Sequence, residues 1–335
     1  MTKAYQVVGV GNAIVDVISQ IEDSFLTRYD VEKGIMQLID QPRAVELYSH
    51  MGVSRQVSGG SAANTIAGLA ALGNRTAYVG KVKDDQLGEI FAHDLRAQGA
   101  VFETPLAPKD HPHETGRSMI LVSPDGERSM STYLGVSEFL APSDIDTQQM
   151  AEADWIFLEG YRFDGPDSHA AFAKAIEACK SAGGRVAITL SDPFCVERHR
   201  DELLSMIRTQ TDLVVANEHE LKSLYETSDL DEAFQRAETE IPMTACTVGA
   251  KGAHLLAEGQ RVHVPAKPIE VADATGAGDL FASGLLHGLL QGRDLETCLR
   301  MGCVAAAEVI SHIGARPEID LPTLFAAEGL TKAAA

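Results

Sequence analysis

Two rhythms of apolar residues divide this chain. From Trp155 onward, short continuous apolar runs (Trp155–Leu158, Arg185–Leu190, Leu213–Ala216) alternate with longer stretches of helical period at 168–181, 201–209 and 218–225. Runs of that length, rich in Val, Ile and Leu, read as strands buried on both faces, and the stretches between them as amphipathic helices. Gln6–Val10 is a further apolar run that ends in Gly9, Gly11 and Asn12. A helix rich in small residues follows from Gly59 to about Gly73, then a strand at Tyr78–Gly80 and a helix over Leu87–Gln98, which Gly99 stops. Strand and helix in alternation predict an α/β domain with a mostly parallel sheet covered by helices.

Two regions break that alternation. Residues 17–57 mix strand-like pieces with one helical patch near Arg43–Met51, and Ser118–Val122 and Ser129–Tyr133 flank a Pro124-Asp125-Gly126 turn. They are expected to form a small β-rich lid, built from about 17–57 and 101–135, on a single domain spanning 1–330; residues 331–335 are expected to fray.

Composition narrows the function. The 335 residues carry a formal net charge of −20, which leaves little basic surface for a nucleic-acid backbone. The five cysteines are odd in number and show no C-x-x-C spacing, so neither a disulfide framework nor a zinc site is expected. The N-terminus lacks a signal-peptide core, and no apolar run reaches membrane-spanning length. The expectation is a soluble cytoplasmic protein without membrane or nucleic-acid partners.

Five segments carry candidate chemistry. Val271–Gly284 places Gly276, Ala277 and Gly278 at the opening of a helix, where unpaired N–H groups and small residues can cradle an anion, with Asp279 in the first turn as a candidate base. The bland alternative makes Asp279 a partner of the helix dipole. Gly59 and Gly60 permit close backbone approach, and Asn64 can reach a sugar hydroxyl, although a tightly packed helix explains the same residues. Gly9–Asp16 is no dinucleotide fingerprint, since Ile14 stands where a third glycine belongs. Asp16 can instead accept bonds from paired hydroxyls. Asn217 and Glu220 follow a strand end, where they can serve Mg²⁺ through its water shell, form a helix capping box, or both. Thr247, Gly249 and Gly252 read as the floor of a nucleotide site or as a plain hairpin.

Together, in this order, the segments resemble the ribokinase-like, or PfkB carbohydrate kinase, family from Val8 to about Pro317. The resemblance implies a three-layer α/β fold with a β lid, and ATP-dependent phosphorylation of a primary hydroxyl on a ribose-containing substrate. By the same resemblance Asp279 is the catalytic base, and Gly276, Ala277 and Gly278 form the anion hole. Asn12, Asp16, Gly59, Gly60 and Asn64 bind the sugar. Asn217, Glu220, Thr247, Gly249, Gly252 and Gly314 serve ATP and its Mg²⁺, and Asp273 and Thr275 lie where many members bind a monovalent cation such as K⁺. Arg128 matches a lid cation that steadies the transferring phosphate. Within the family the chain is most similar to adenosine kinases: Asp23, Phe25, Leu26 and Tyr29 follow their pattern, and Leu190-Ser191-Asp192-Pro193-Phe194 departs from theirs only at Asp192. Tyr161 and Arg162 fall where those enzymes pack aromatic residues against the base, a place where a guanidinium can also stack. The implied partners are a nucleoside or sugar and ATP, with a monomer or a homodimer paired through lids. A free-sugar kinase of the ribokinase or fructokinase type and a nucleotide- or nucleoside-sensing protein without turnover are the rival readings.

Overall fold

A computed structural model describes residues 2–331, so the tail expected to fray lies outside the described residues from 332 on. Its main body is a nine-stranded sheet. From one edge the order is Gln260–Val264, Ala253–Ala257, Met243–Thr247, Leu213–Asn217, Arg185–Thr189, Ala153–Glu159, Tyr5–Val10, Thr76–Val79 and Val101–Phe102. The strands from Met243–Thr247 to Val101–Phe102 run parallel, and the last two of the opposite edge are antiparallel.

Successive side chains on a strand point to opposite faces, and here both faces are covered. Val7, Trp155, Ala187 and Leu213 face the helices Ser61–Ala71, Ala277–Leu290 and Leu295–Val309, meeting Ile66, Phe281, Leu285 and Leu299. Their neighbours Val8, Ile156, Ile188 and Val214 meet Phe172 and Ile176 of Ser168–Ser181 and Val196 and Leu203 of Pro193–Gln210. Each such side chain contributes roughly 1.5–3 kcal/mol by leaving water. The two-sided burial is why these strands read as continuous apolar runs. The helix expected at 201–209 begins earlier, at Pro193, because the Asp192 side chain accepts the Cys195 N–H at 2.6 Å and Pro193 suits a first helical position. A non-helical residue, His199, splits it and hides the period of its first part.

The second sheet has five strands in the order Met36–Leu38, Arg128–Gly135, Thr115–Val122, Ile14–Gln20 and Arg55–Gly59. Its boundaries differ from the expected 17–57 and 101–135. The sheet takes Ile14 onward, while Val101–Phe102 pairs with Thr76–Val79 at the edge of the large sheet. One face packs Met119, Leu121 and Tyr133 against Leu26, Ala44 and Leu47 of the short helices Asp23–Arg28 and Gln41–His50. The opposite face turns Ile120, Met130 and Leu134 toward a cavity between the two sheets. No helix among the described residues is long and apolar enough to cross a membrane.

Candidate active site

The cavity, about 920 Å³, lies at the carboxyl ends of the parallel strands, where α/β sheets bind ligands. It is lined by Asn12, Asp16, Gly60, Asn64, Arg128, Tyr161, Asn217, Glu220, Thr247, Asp273 and the run Thr275–Asp279. Segments from both ends of the chain thus meet at one place. Gly59, Gly249, Gly252 and Gly314 do not reach the lining. Gly249 and Gly252 shape the turn between two antiparallel strands, so the hairpin reading describes them. Gly314 donates its N–H to Asp273 Oδ2 at 2.8 Å.

Asp279 stands in the first turn of Ala277–Leu290. Ser61 Oγ donates to its Oδ1 at 2.7 Å and Asn64 Nδ2 to its Oδ2 at 2.8 Å. Burial pushes its carboxyl up to about 6, against the pull of those two donors and of the Arg316 charge. It is therefore largely ionised near neutrality yet basic enough to take a proton, the balance that general-base catalysis favours. Gly276, left-handed at φ 79°, gives that helix no side-chain cap, so its first-turn amides face the cavity beside Asp279. Such an arrangement can cradle an anion next to a base.

Asp16, 7 % exposed, is opposite. Burial raises its carboxyl to about 7, and the charges of Arg316 and Arg128 oppose the rise. A Cβ on Gly59 would sit 2.3 Å from this carboxylate, and one on Gly60, at φ 97°, would sit 2.2 Å from the Asn12 carbonyl. The glycine pair is thus required by close approach. Asn12 itself is half committed: its side-chain carbonyl accepts from Arg162 at 3.1 Å.

Arg162 corrects an expectation. It does not face the cavity for a base to stack on. It is 1 % exposed and donates to Asn12 Oδ1, Ser137 O, Leu140 O and Ser168 Oγ. Tyr161 alone of the two lines the cavity, its hydroxyl donating to Ser191 O at 3.3 Å.

Asn217 and Glu220 form the capping box, with Asn217 Oδ1 accepting the Glu220 N–H at 2.9 Å and Glu220 Oε2 accepting the Asn217 N–H at 3.0 Å. Both also line the cavity, so the capping box does not exclude a second role for them. Burial lifts the Glu220 carboxyl to about 7, and a divalent cation nearby would favour its ionised form; an oxygen ligand so placed fits Mg²⁺ held through water. The monovalent-cation place fits less well. Asp273 Oδ1 accepts the Thr275 N–H at 3.0 Å, and Oδ2 accepts the Gly314 N–H and pairs with Arg128 Nη2 at 2.5 Å. Arg128 also reaches Thr275 Oγ1 at 3.3 Å. The Arg128 guanidinium thus already neutralises Asp273 and meets Thr275.

Two residues escaped sequence reasoning. Glu159 ends a central strand, 1 % exposed, and accepts the N–H groups of Asn12 at 3.3 Å and Ala62 at 2.9 Å. It ties the loop after the first strand to the start of Ser61–Ala71, and burial raises it to about 7. Arg316 donates to Ala63 O, Ser58 O and Ser58 Oγ. A lone Arg in a loop carries no periodic or motif signal.

Comparison with known proteins places the chain among relatives. A family model described as "pfkB family carbohydrate kinase" matches residues 35–323. The solved structure of an adenosine kinase from Sinorhizobium meliloti is 46 % identical, with a TM-score of 0.91 over 98 % of this chain and 100 % of its own. A probable sugar kinase from Rhizobium etli CFN 42 superposes at a TM-score of 0.92, also 46 % identical, over 98 % and 100 %. A fructokinase from Klebsiella pneumoniae is 30 % identical over 241 residues, covering 70 % of this chain and 77 % of that enzyme.

Proposed function

Because this chain belongs to the pfkB family of carbohydrate kinases and is a sugar or nucleoside kinase, we propose that it transfers the γ-phosphoryl group of Mg-ATP to the primary 5′-hydroxyl of a nucleoside, adenosine first among them. The observation that carries this choice is the apolar inner face of the small sheet. Met36, Leu38, Ile120, Met130 and Leu134 line the cavity on the same small sheet that carries Asp16, while Asn64 and Asp279 line it from the helices Ser61–Ala71 and Ala277–Leu290 of the large sheet. A nucleoside has the matching two halves, a flat base for the apolar wall and a ribose for the carboxylates. A free sugar would set hydroxyls against methionine and leucine and lose their hydration without replacement bonds.

In this reading Asp16 accepts two hydrogen bonds from the vicinal ribose hydroxyls, and Asn64 and the Gly60 backbone hold the sugar against the large sheet. The 5′-hydroxyl then lies beside Asp279, which takes its proton as the oxygen attacks phosphorus. The Gly276–Gly278 amides and Arg128 receive the charge on the transferring group. Mg²⁺, when bound with ATP, neutralises phosphate charge. The small sheet acts as a lid that excludes water, so that the hydroxyl rather than water is the acceptor.

The test is ADP release with Mg-ATP across adenosine, inosine, guanosine, cytidine, ribose and fructose. Turnover with a nucleoside at least tenfold above the free sugars is expected. Turnover confined to ribose or fructose would refute the acceptor while leaving the residue roles in place; the likeness to the K. pneumoniae fructokinase makes that the second reading.

A further inference from the structure

Arg316 lies just beyond the Gly314 turn, more than two hundred residues from every group it bonds. Its Nη1 donates to Ala63 O at 2.8 Å, and its Nη2 to Ser58 O at 2.9 Å and Ser58 Oγ at 3.0 Å. Those acceptors bracket Gly59, Gly60, Ser61 and Ala62. Within that bracket Gly59 lies against the Asp16 carboxylate, and Ser61, with Asn64 just beyond it, donates to Asp279. The Ser58 N–H is held in turn by Asp94 Oδ2 at 3.0 Å. One guanidinium therefore grips both ends of the segment that touches both acids.

We propose that Arg316 is a positioning residue that clamps 58–63 in its close-approach geometry and supplies the counter-charge shared by Asp16 and Asp279. A segment with two adjacent glycines loses much conformational freedom when it is fixed, and two charge-assisted bonds to its flanking carbonyls offset that cost. The charge argument points the same way. The Arg316 charge lowers the proton affinity of both Asp16 and Asp279. Burial brings its own guanidinium down to about 10, and Asp16, Asp279 and Asp94 pull it back up. The other charged groups around these acids are Arg128 and Asp273 at Asp16, and Glu159 and Glu220, which feel Asp279. All of these but Arg128 are acidic and favour protonation, so Arg316 is the cation that favours the ionised state of Asp279, alongside the hydrogen bonds from Ser61 and Asn64.

This inference rests on the kinase reading for its activity arm, and the experiment separates the two. The pH profile of kcat/KM for the best acceptor is measured for the wild type, Arg316→Gln and Arg316→Lys, alongside melting curves. Removing a cation beside carboxylates makes them easier to protonate, so in Arg316→Gln the acid limb is expected to move up by about one pH unit or more. Arg316→Lys keeps the charge without the two-pronged grip; its limb is expected to stay while the acceptor KM rises about tenfold. A folded Arg316→Gln with an unmoved limb overturns the counter-charge, and an Arg316→Lys with unchanged KM overturns the clamp. If Arg316→Gln fails to fold, the Lys variant decides. If the wild type turns over no acceptor tried, the proposed function fails. The inference is then judged by carboxyl ¹³C titration of Asp-labelled protein, with signals assigned through Asp16→Asn and Asp279→Asn. Midpoints that rise in the Arg316 variant support it, and unmoved midpoints sink it.

Discussion

Replacing Asp279 by asparagine should push activity and stability in opposite directions. The side chain accepts from Ser61 at 2.7 Å and from Asn64 at 2.8 Å. An asparagine of the same shape can accept from Asn64 and donate to Ser61 Oγ, whose hydroxyl rotates, so the site keeps its geometry. What disappears is a basic oxygen and a buried charge. General-base assistance is worth about 10²–10⁴-fold, and turnover should fall by that factor while ATP affinity changes little. The wild-type carboxyl is raised from 3.8 to about 6 by burial. A shift of that size corresponds to roughly 3 kcal/mol, an upper value because the cavity admits some water. The folded protein holds this proton more tightly than the unfolded chain. The destabilisation is therefore complete above about pH 6 and gone below about pH 4. Asp279→Asn should accordingly melt a few degrees higher than wild type near neutral pH, with the gap closing on acidification. The assays are coupled ADP release and thermal melting across pH. Near-normal turnover would refute the base assignment. A lower melting point at neutral pH would refute the account of the buried charge.

Three further outcomes follow from the site. Gly59→Ala puts a methyl 2.3 Å from the Asp16 carboxylate; the acceptor KM should rise at least tenfold while the ATP KM holds, and an unchanged acceptor KM would show that Asp16 does not grip the sugar. Wild-type turnover should be the same in KCl and in tetramethylammonium chloride, since Arg128 occupies Asp273; Arg128→Ala should lose about 10–100-fold in rate and become responsive to K⁺, and strong K⁺ activation of the wild type would contradict the substitution of guanidinium for cation. Arg162→Met strands four buried acceptors and should cost on the order of 3–5 kcal/mol in denaturant melts without altering the ranking of acceptors; a changed ranking would return Arg162 to the substrate site.

What the sequence reveals depends on whether a signal is local. Trp155–Leu158 and Leu213–Ala216 announce themselves as two-sided strands because every residue of each run is buried, whichever face it points to. Gly276, Ala277, Gly278 and Asp279 are legible because the loop, the helix start and the acid are consecutive. Asp273 was legible as a charged ligand but not as the partner of Arg128, whose strand lies in the other sheet. Arg162 was misplaced because its neighbour Tyr161 does face the cavity, and a tight 3₁₀ turn at Gly160–Asp164 sends the next side chain inward instead. Glu159 and Arg316 had no local signal: their partners lie 97 to 258 residues away. A buried charge is recognisable only once the fold has brought its partners to it.

The same contrast applies to charge. A net charge of −20 spread over 335 residues reads as solubility and says little about a site. Inside the cavity the imbalance becomes chemical. Asp16, Asp125, Glu127, Glu159, Asp164, Glu220, Asp273 and Asp279 line it, and among the described residues Arg128 is the one Lys or Arg that does. Arg162 and Arg316 stand behind the wall, where they fix backbone and temper the acids without touching a ligand. A polyphosphate entering alone would meet far more negative than positive charge. Its binding must then rest on neutral donors, the first-turn amides of Ala277–Leu290, on the single guanidinium, and on cations that arrive with the nucleotide. That makes the surplus of acids selective: it admits a phosphate chain already neutralised by Mg²⁺ and discourages free anions, while four of the eight acids, raised by burial to about 6 or 7, can shed their protons when that positive charge comes close.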